Sequence, residues 1–113
     1  MLVQNISEDL QLKLLNSSSI NTNVGLIHFN QNKTLYIKIL NSFIQRYENL
    51  NLKNLTRQEQ ERTLHTMRGL TQTLGMEQLA SIIEDLEEDL NENNINFFYH
   101  NLKIIIDKIR YLS

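Results

Sequence analysis

The chain has 113 residues, 41% of them hydrophobic, which is enough for one compact core and too few for two ordinary domains. A formal net charge of −2 gives no general attraction to phosphate polymers, so nucleic acid is not an expected partner, and the absence of cysteine excludes disulfides and thiolate metal sites. No apolar run approaches the roughly 20 residues that cross a bilayer, and the N-terminus lacks the blocks of a signal peptide, so a cytoplasmic protein without direct membrane contact is expected.

There is no proline, and the three glycines are Gly25, Gly69 and Gly75, so long helices can run with few breaks. Residues 1–19 read as a leading segment with a helix carrying Ile6, Leu10 and Leu14, which the polar stretch "NSSSINTN" at 16–23 then breaks. Residues 20–113 carry four stripes at helical spacing. The first runs through Leu35, Tyr36, Ile39, Leu40, Phe43, Ile44 and Tyr47, and the second through Leu64, Met67, Leu70, Thr71 and Leu74. The third joins Leu79, Ile82, Ile83, Leu86 and Leu90, and the fourth Phe98, Leu102, Ile105, Ile109 and Leu112. Four amphipathic helices of similar length on short connections predict an all-α fold, an antiparallel up-down four-helix bundle with short additional N-terminal helices. A monomer is expected because one bundle uses all four stripes.

The helix ends fit that reading. Thr56 followed by Glu59 is a capping box, so the second long helix begins near Arg57. Gly75 follows its last periodic residue, where a positive φ closes a helix and starts a hairpin. The amides of "NENNIN" at 91–96 separate the third and fourth helices.

His65 lies within the second long helix, in "LHTMRG". At about 100° per residue it falls roughly 155° from the centre of the apolar stripe and faces solvent. Glu61, Arg68, Gly69 and Gln72 share that face. Gly69 costs an exposed helix about 1 kcal/mol relative to alanine, and its missing side chain lets another surface approach the ring.

A solvent-facing imidazole, whose ordinary pKa is about 6.5, is substantially a neutral nucleophile in the cytosol and can attack phosphorus. Arg68, one turn away, is placed to stabilise the charged group that results. The chain has no P-loop, no glycine-rich nucleotide loop and no clustered aspartates for magnesium, so it is not expected to use ATP itself. The donor must bring the metal, which describes a phosphocarrier and not a complete enzyme.

The stretch "HTMRGLTQTLG" resembles the core of the histidine-containing phosphotransfer domains of phosphorelays, matching at His65, Met67, Arg68, Gly69, Leu74 and Gly75. "LASIIEDLEEDL" resembles the family's following helix with its Leu-Glu pair at Leu86 and Glu87, and residues 20–50 resemble its lead-in and first bundle helices. The resemblance covers about residues 20–112. It implies that His65 accepts a phosphoryl group from an aspartate of a response-regulator receiver domain and passes it to another receiver. Arg68 takes the place of the more usual lysine. Mg2+ would come with the receiver, with no cofactor of the chain's own. Such domains also stand at the C-terminus of hybrid sensor kinases, in which case the kinase is the longer protein.

Glu87 corresponds to a position near the ring in that family. Register agrees independently: His65 is ten residues before Gly75 and Glu87 twelve after, so a hairpin sets them at similar height. Glu87 is therefore expected to accept an imidazole N–H and orient the ring; its competing reading is one member of a solvated acidic face with Glu84, Asp85, Glu88 and Asp89. Glu61, Gly69 and Gln72 are the expected docking residues. Leu70, Thr71 and Gln72 depart from the small residues usual after the glycine, and Gln72 bears on which receiver docks. His28 and His100 have no second ligand at metal spacing, so no metal site is expected. The alternative reading is a helical adaptor that binds partners without carrying phosphate.

Overall fold

The computed structural model describes residues 7–112 and is all-helical, with no strand among them. In chain order come α1 (Glu8–Leu15), α2 (Thr22–His28), α3 (Lys33–Tyr47), a 3-10 turn (Leu52–Asn54), α4 (Arg57–Thr73), α5 (Glu77–Glu88) and α6 (Glu92–Leu112). The long helices are not of similar length: α5 has 12 residues and α6 has 21.

Apart from Leu35, which is 40% exposed, the periodic stripes become buried or partly buried faces. Tyr36, Leu40 and Phe43 of α3, Leu64 and Met67 of α4, Leu79, Ile83 and Leu86 of α5, and Phe98, Leu102, Ile105 and Ile109 of α6 form one core. Each such side chain withdrawn from water contributes about 1.5–3 kcal/mol before the entropy of ordering it is counted. Helix α4 packs on α5, α5 on α6 and α6 on α3; α1 lies against α3 and α6, and α2 against α3 and α4. Among the described residues no helix is long and apolar enough to cross a membrane.

Capping fixes where α4 starts. The Thr56 hydroxyl accepts from Glu59 N at 3.1 Å and the Glu59 carboxylate accepts from Thr56 N at 2.8 Å, so the two side chains satisfy backbone donors the helix leaves open. Gly75 fixes where it ends. Its φ is +84°, Met76 N donates to Thr71 O at 2.8 Å and Gly75 N to Gln72 O at 3.2 Å, the paired bonds of a Schellman close. Gly75 O also accepts from Asn21 N, and a Cβ at this glycine would sit 2.1 Å from Asn21 O. The turn therefore requires glycine for backbone conformation and for close packing of the segment before α2.

The leading helix is present as α1 and carries Leu10 and Leu14, but these are 43% and 47% exposed, and the residues that face inward are Gln11, Leu12 and Leu15. An eight-residue helix is too short for its own periodicity to choose a face, and packing on α3 and α6 chooses it. Ile6 lies outside the described residues. The separation expected at 91–96 lies earlier, at residues 89–91, because α5 ends at Glu88 and α6 starts at Glu92. Asn91 Oδ1 accepts from Asn94 N at 2.8 Å and Asn94 Nδ2 donates to Asp89 O at 2.8 Å, so the amides start the helix and tie it to the end of α5.

The polar stretch at 16–23 does interrupt the helices. Asn16 Oδ1 accepts from Thr22 N at 3.0 Å, and Ile20 plugs into the core. Tyr36 spans α2 to α4: its ring fills the space where a Cβ on Gly25 would clash at 2.4 Å, and its hydroxyl donates to Leu74 O at 2.7 Å. Burial pushes this phenol's pKa well above its ordinary value.

Candidate functional site

The middle of α4 presents two faces. Leu64, Met67 and Thr71 are buried, which turns His65, Gly69 and Gln72 outward into solvent. Arg68 stands at the border and is partly covered. The Schellman turn sends α5 back along α4, and Leu86 in the core sets Glu87 beside the middle of α4.

Three of the expected residues meet there. Arg68 Nε donates to Glu87 Oε1 at 2.6 Å, and Arg68 Nη2 lies 3.1 Å from His65 Nδ1. The register reading placed Glu87 at the height of His65, but the expected direct hydrogen bond from ring to carboxylate is replaced by one through Arg68. The physical reason is reach and charge. A guanidinium three residues after the histidine reaches both groups at once, and it satisfies the carboxylate with a charged donor. Arg68 and Glu87 side chains are only 29% and 24% exposed, which separates this ion pair from the open Arg57–Glu61 pair at 80% and 64%. It is correspondingly less screened by solvent and salt.

Gly69 lies on the exposed surface, and a Cβ built there meets nothing within 4 Å. Among the described residues nothing requires this glycine. Gln72 is exposed one turn further on. Glu61 pairs with Arg57 at 3.5 Å, and the two join Glu87 and Glu88 around a cleft of about 110 Å³ between α4 and α5, three carboxylates to one guanidinium. One flank of His65 is therefore acidic.

The opposite flank was not anticipated. Between the end of α3 and α4, a cleft of about 360 Å³ is lined by Arg46, Tyr47, Leu50, Leu55, Arg62, Thr63 and Thr66, with no acidic residue. Arg46 stacks over the Tyr47 ring at 5.4 Å, and neither Arg46 nor Arg62 makes an ion pair among the described residues. The Tyr47 hydroxyl is buried and has no hydrogen-bond partner among the described residues; burial raises its pKa, and the Arg46 charge opposes that rise. Arg62 precedes His65 by one helical turn, which is the signal that could have found this flank; Arg46, on another helix, had none.

His28 has a structural contact. Its Nδ1 lies 2.9 Å from Thr73 O, a carbonyl at the end of α4, and since a carbonyl only accepts, Nδ1 is the donor. His100 is exposed on α6. Among the described residues no three His, Asp or Glu side chains are grouped to hold a metal ion. Compared with protein-family models, with curated proteins and with solved structures, the chain matches none.

Proposed function

We propose that the chain is a histidine-containing phosphotransfer domain of a multistep phosphorelay, with α3 to α6 as its antiparallel up-down four-helix bundle and α1 and α2 as the short additional helices. His65 accepts a phosphoryl group from the aspartate of one response-regulator receiver domain and yields it to another. The observation that carries the reading is the His65 ring: exposed on α4, within 3.1 Å of a guanidinium and one turn before a glycine whose missing side chain would meet nothing within 4 Å.

The chemistry divides between the two proteins. Phosphoryl transfer is governed by positioning and by neutralising the equatorial oxygens. The receiver brings the acyl phosphate and the Mg2+ that it holds. This chain brings a nucleophilic nitrogen, a cation within reach of the transferred group and room for the receiver to approach over Gly69. Such a domain is a phosphocarrier with no kinase activity of its own, working in the cytoplasm as a monomer or as the terminal module of a hybrid sensor kinase. Glu61, Gly69 and Gln72 lie where the receiver docks, Glu61 on the acidic flank and the other two on the exposed face of α4.

Incubation with a receiver carrying radiolabelled aspartyl phosphate tests the proposal. Label that is alkali-stable and acid-labile, present on the wild type and absent from a folded His65→Gln variant, is the expected result. A His65→Gln variant that binds receivers and sustains signalling as well as the wild type would make the chain an adaptor and overturn the reading.

A further inference from the structure

The contact between Arg68 and His65 has a consequence for which ring nitrogen is available. A guanidinium carries five N–H donors and no acceptor. Arg68 Nη2 at 3.1 Å from Nδ1 is a hydrogen bond only when Nδ1 offers its lone pair, so the neutral ring then carries its proton on Nε2. Nε2 is the distal ring nitrogen, further from the backbone. With a proton on it, it has no in-plane lone pair to attack phosphorus.

The geometry points to Arg68 and Glu87 as a positioning pair that holds His65 in the unreactive tautomer at rest and exchanges partners when a phosphoryl group arrives. This rests on the phosphotransfer reading for its second half; the resting tautomer stands on the two distances alone. At rest the chain of contacts is Glu87 Oε1, Arg68 Nε, Arg68 Nη2, His65 Nδ1. An incoming phosphoryl group, with more negative charge than one carboxylate, draws the guanidinium away from Glu87 and the ring. Glu87 then loses its guanidinium partner and is left a partly buried carboxylate separated from Nδ1 only by the space the guanidinium had filled. It accepts an N–H from Nδ1, and the ring proton passes through solvent from Nε2 to Nδ1.

The transfer step then balances. The Nε2 lone pair forms the N–P bond as the P–O bond to the receiver's aspartate breaks, and the aspartate leaves as a carboxylate with the electron pair. The ring holds one proton before and after, now on Nδ1, and bears a positive charge that Glu87 faces. Arg68 meanwhile binds the phosphoryl oxygens. Return of the phosphoryl group to a second receiver runs the exchange backwards. In this arrangement Glu87 acts on the ring only after Arg68 has left it, which reconciles its register beside His65 with its observed bond to Arg68.

Nitrogen-15 NMR of histidine-labelled protein, without any phosphate present, tests the resting state. Wild type is expected to show a pyridine-type Nδ1 and a pyrrole-type Nε2 at His65. Arg68→Met frees Glu87 and is expected to move the proton to Nδ1, and adding Glu87→Ala to that variant reverses the shift. A proton on Nδ1 in the wild type, or an unchanged tautomer in Arg68→Met, overturns the resting latch even if His65 is phosphorylated normally. Transfer rates from a phosphorylated receiver test the second half. Glu87→Gln keeps an acceptor oxygen and is expected to retain most of the rate, while Glu87→Ala loses about tenfold, the value of one hydrogen bond to a charged group. Equal rates for the two variants overturn the exchange; no label on wild type with the tautomers as expected rejects the phosphotransfer reading and leaves the latch standing.

Discussion

The outward face of α4 and the turn that ends it each contain a glycine, and the two stand in opposite relations to the fold. At the turn, every unusual feature has an internal cause: Gly75 takes a φ of +84°, its carbonyl receives Asn21 N, and any Cβ would collide with Asn21 O. On the face, Gly69 has open space around it and an ordinary helical position. It costs the helix about 1 kcal/mol against alanine, although a Cβ there would meet nothing within 4 Å. Residues that the fold explains are evidence about folding. A destabilising choice that the fold does not explain points outside the molecule, and here it lies one turn from His65.

Substitutions sharpen that contrast. The largest stability effect belongs to Gly75→Ala. Left-handed backbone alone costs a non-glycine residue about 1–2 kcal/mol, and the collision with Asn21 adds to it, so urea denaturation should show a loss at or above that range. Gly69→Ala should do the reverse, raising stability by about 1 kcal/mol in the same titration. The account also requires that its rate of phosphoryl transfer fall about tenfold or more, because the methyl intrudes on the receiver's approach. Gain of stability without loss of transfer would break the comparison.

At the start of α4, Thr56→Ala should cost about 1 kcal/mol through the lost cap. Its pH dependence is specific. Hydrogen bonds from the Thr56 backbone and hydroxyl hold the Glu59 carboxyl below its ordinary value of 4.5. A carboxyl lowered in the folded state stabilises above its unfolded pKa, and that contribution is lost as pH falls through the folded value. The wild type should therefore lose this contribution below about pH 4.5, and Thr56→Ala should show a shallower acid limb. The smallest effect is expected at the α2–α3 turn, where Gln31 holds a φ of 62°. Gln31→Gly relieves that strain and should stabilise by about 0.5–1 kcal/mol, less than the strain itself because glycine is freer when unfolded.

Local signals were the ones legible in the sequence. The Thr56–Glu59 box, the positive φ at Gly75 and the four stripes each need only neighbours along the chain, and each is present in the structure. Likewise the angle of His65 follows from the helix period once Leu64 and Met67 are known to face inward. Misreadings arose where the partner is distant or the signal has two uses. The amides of 91–96 suit a connection and a helix start alike, so the run does not reveal that α6 already begins at Glu92, with Asn91 capping it. Register set the height of Glu87 without choosing between the ring and Arg68 as its partner. The bonds of His28 to Thr73, Tyr36 to Leu74 and Tyr99 to Leu52 N join residues 45, 38 and 47 positions apart, and no periodicity reports them.

The central claim is that the exposed imidazole of α4 carries phosphate. Mass spectrometry of the protein after incubation with a phosphorylated receiver, under alkaline conditions that preserve phosphohistidine, measures it directly. The account predicts one phosphoryl group per chain, on His65, with none on His28 or His100. Phosphate on either of those histidines in place of His65, or on none of the three, would contradict it.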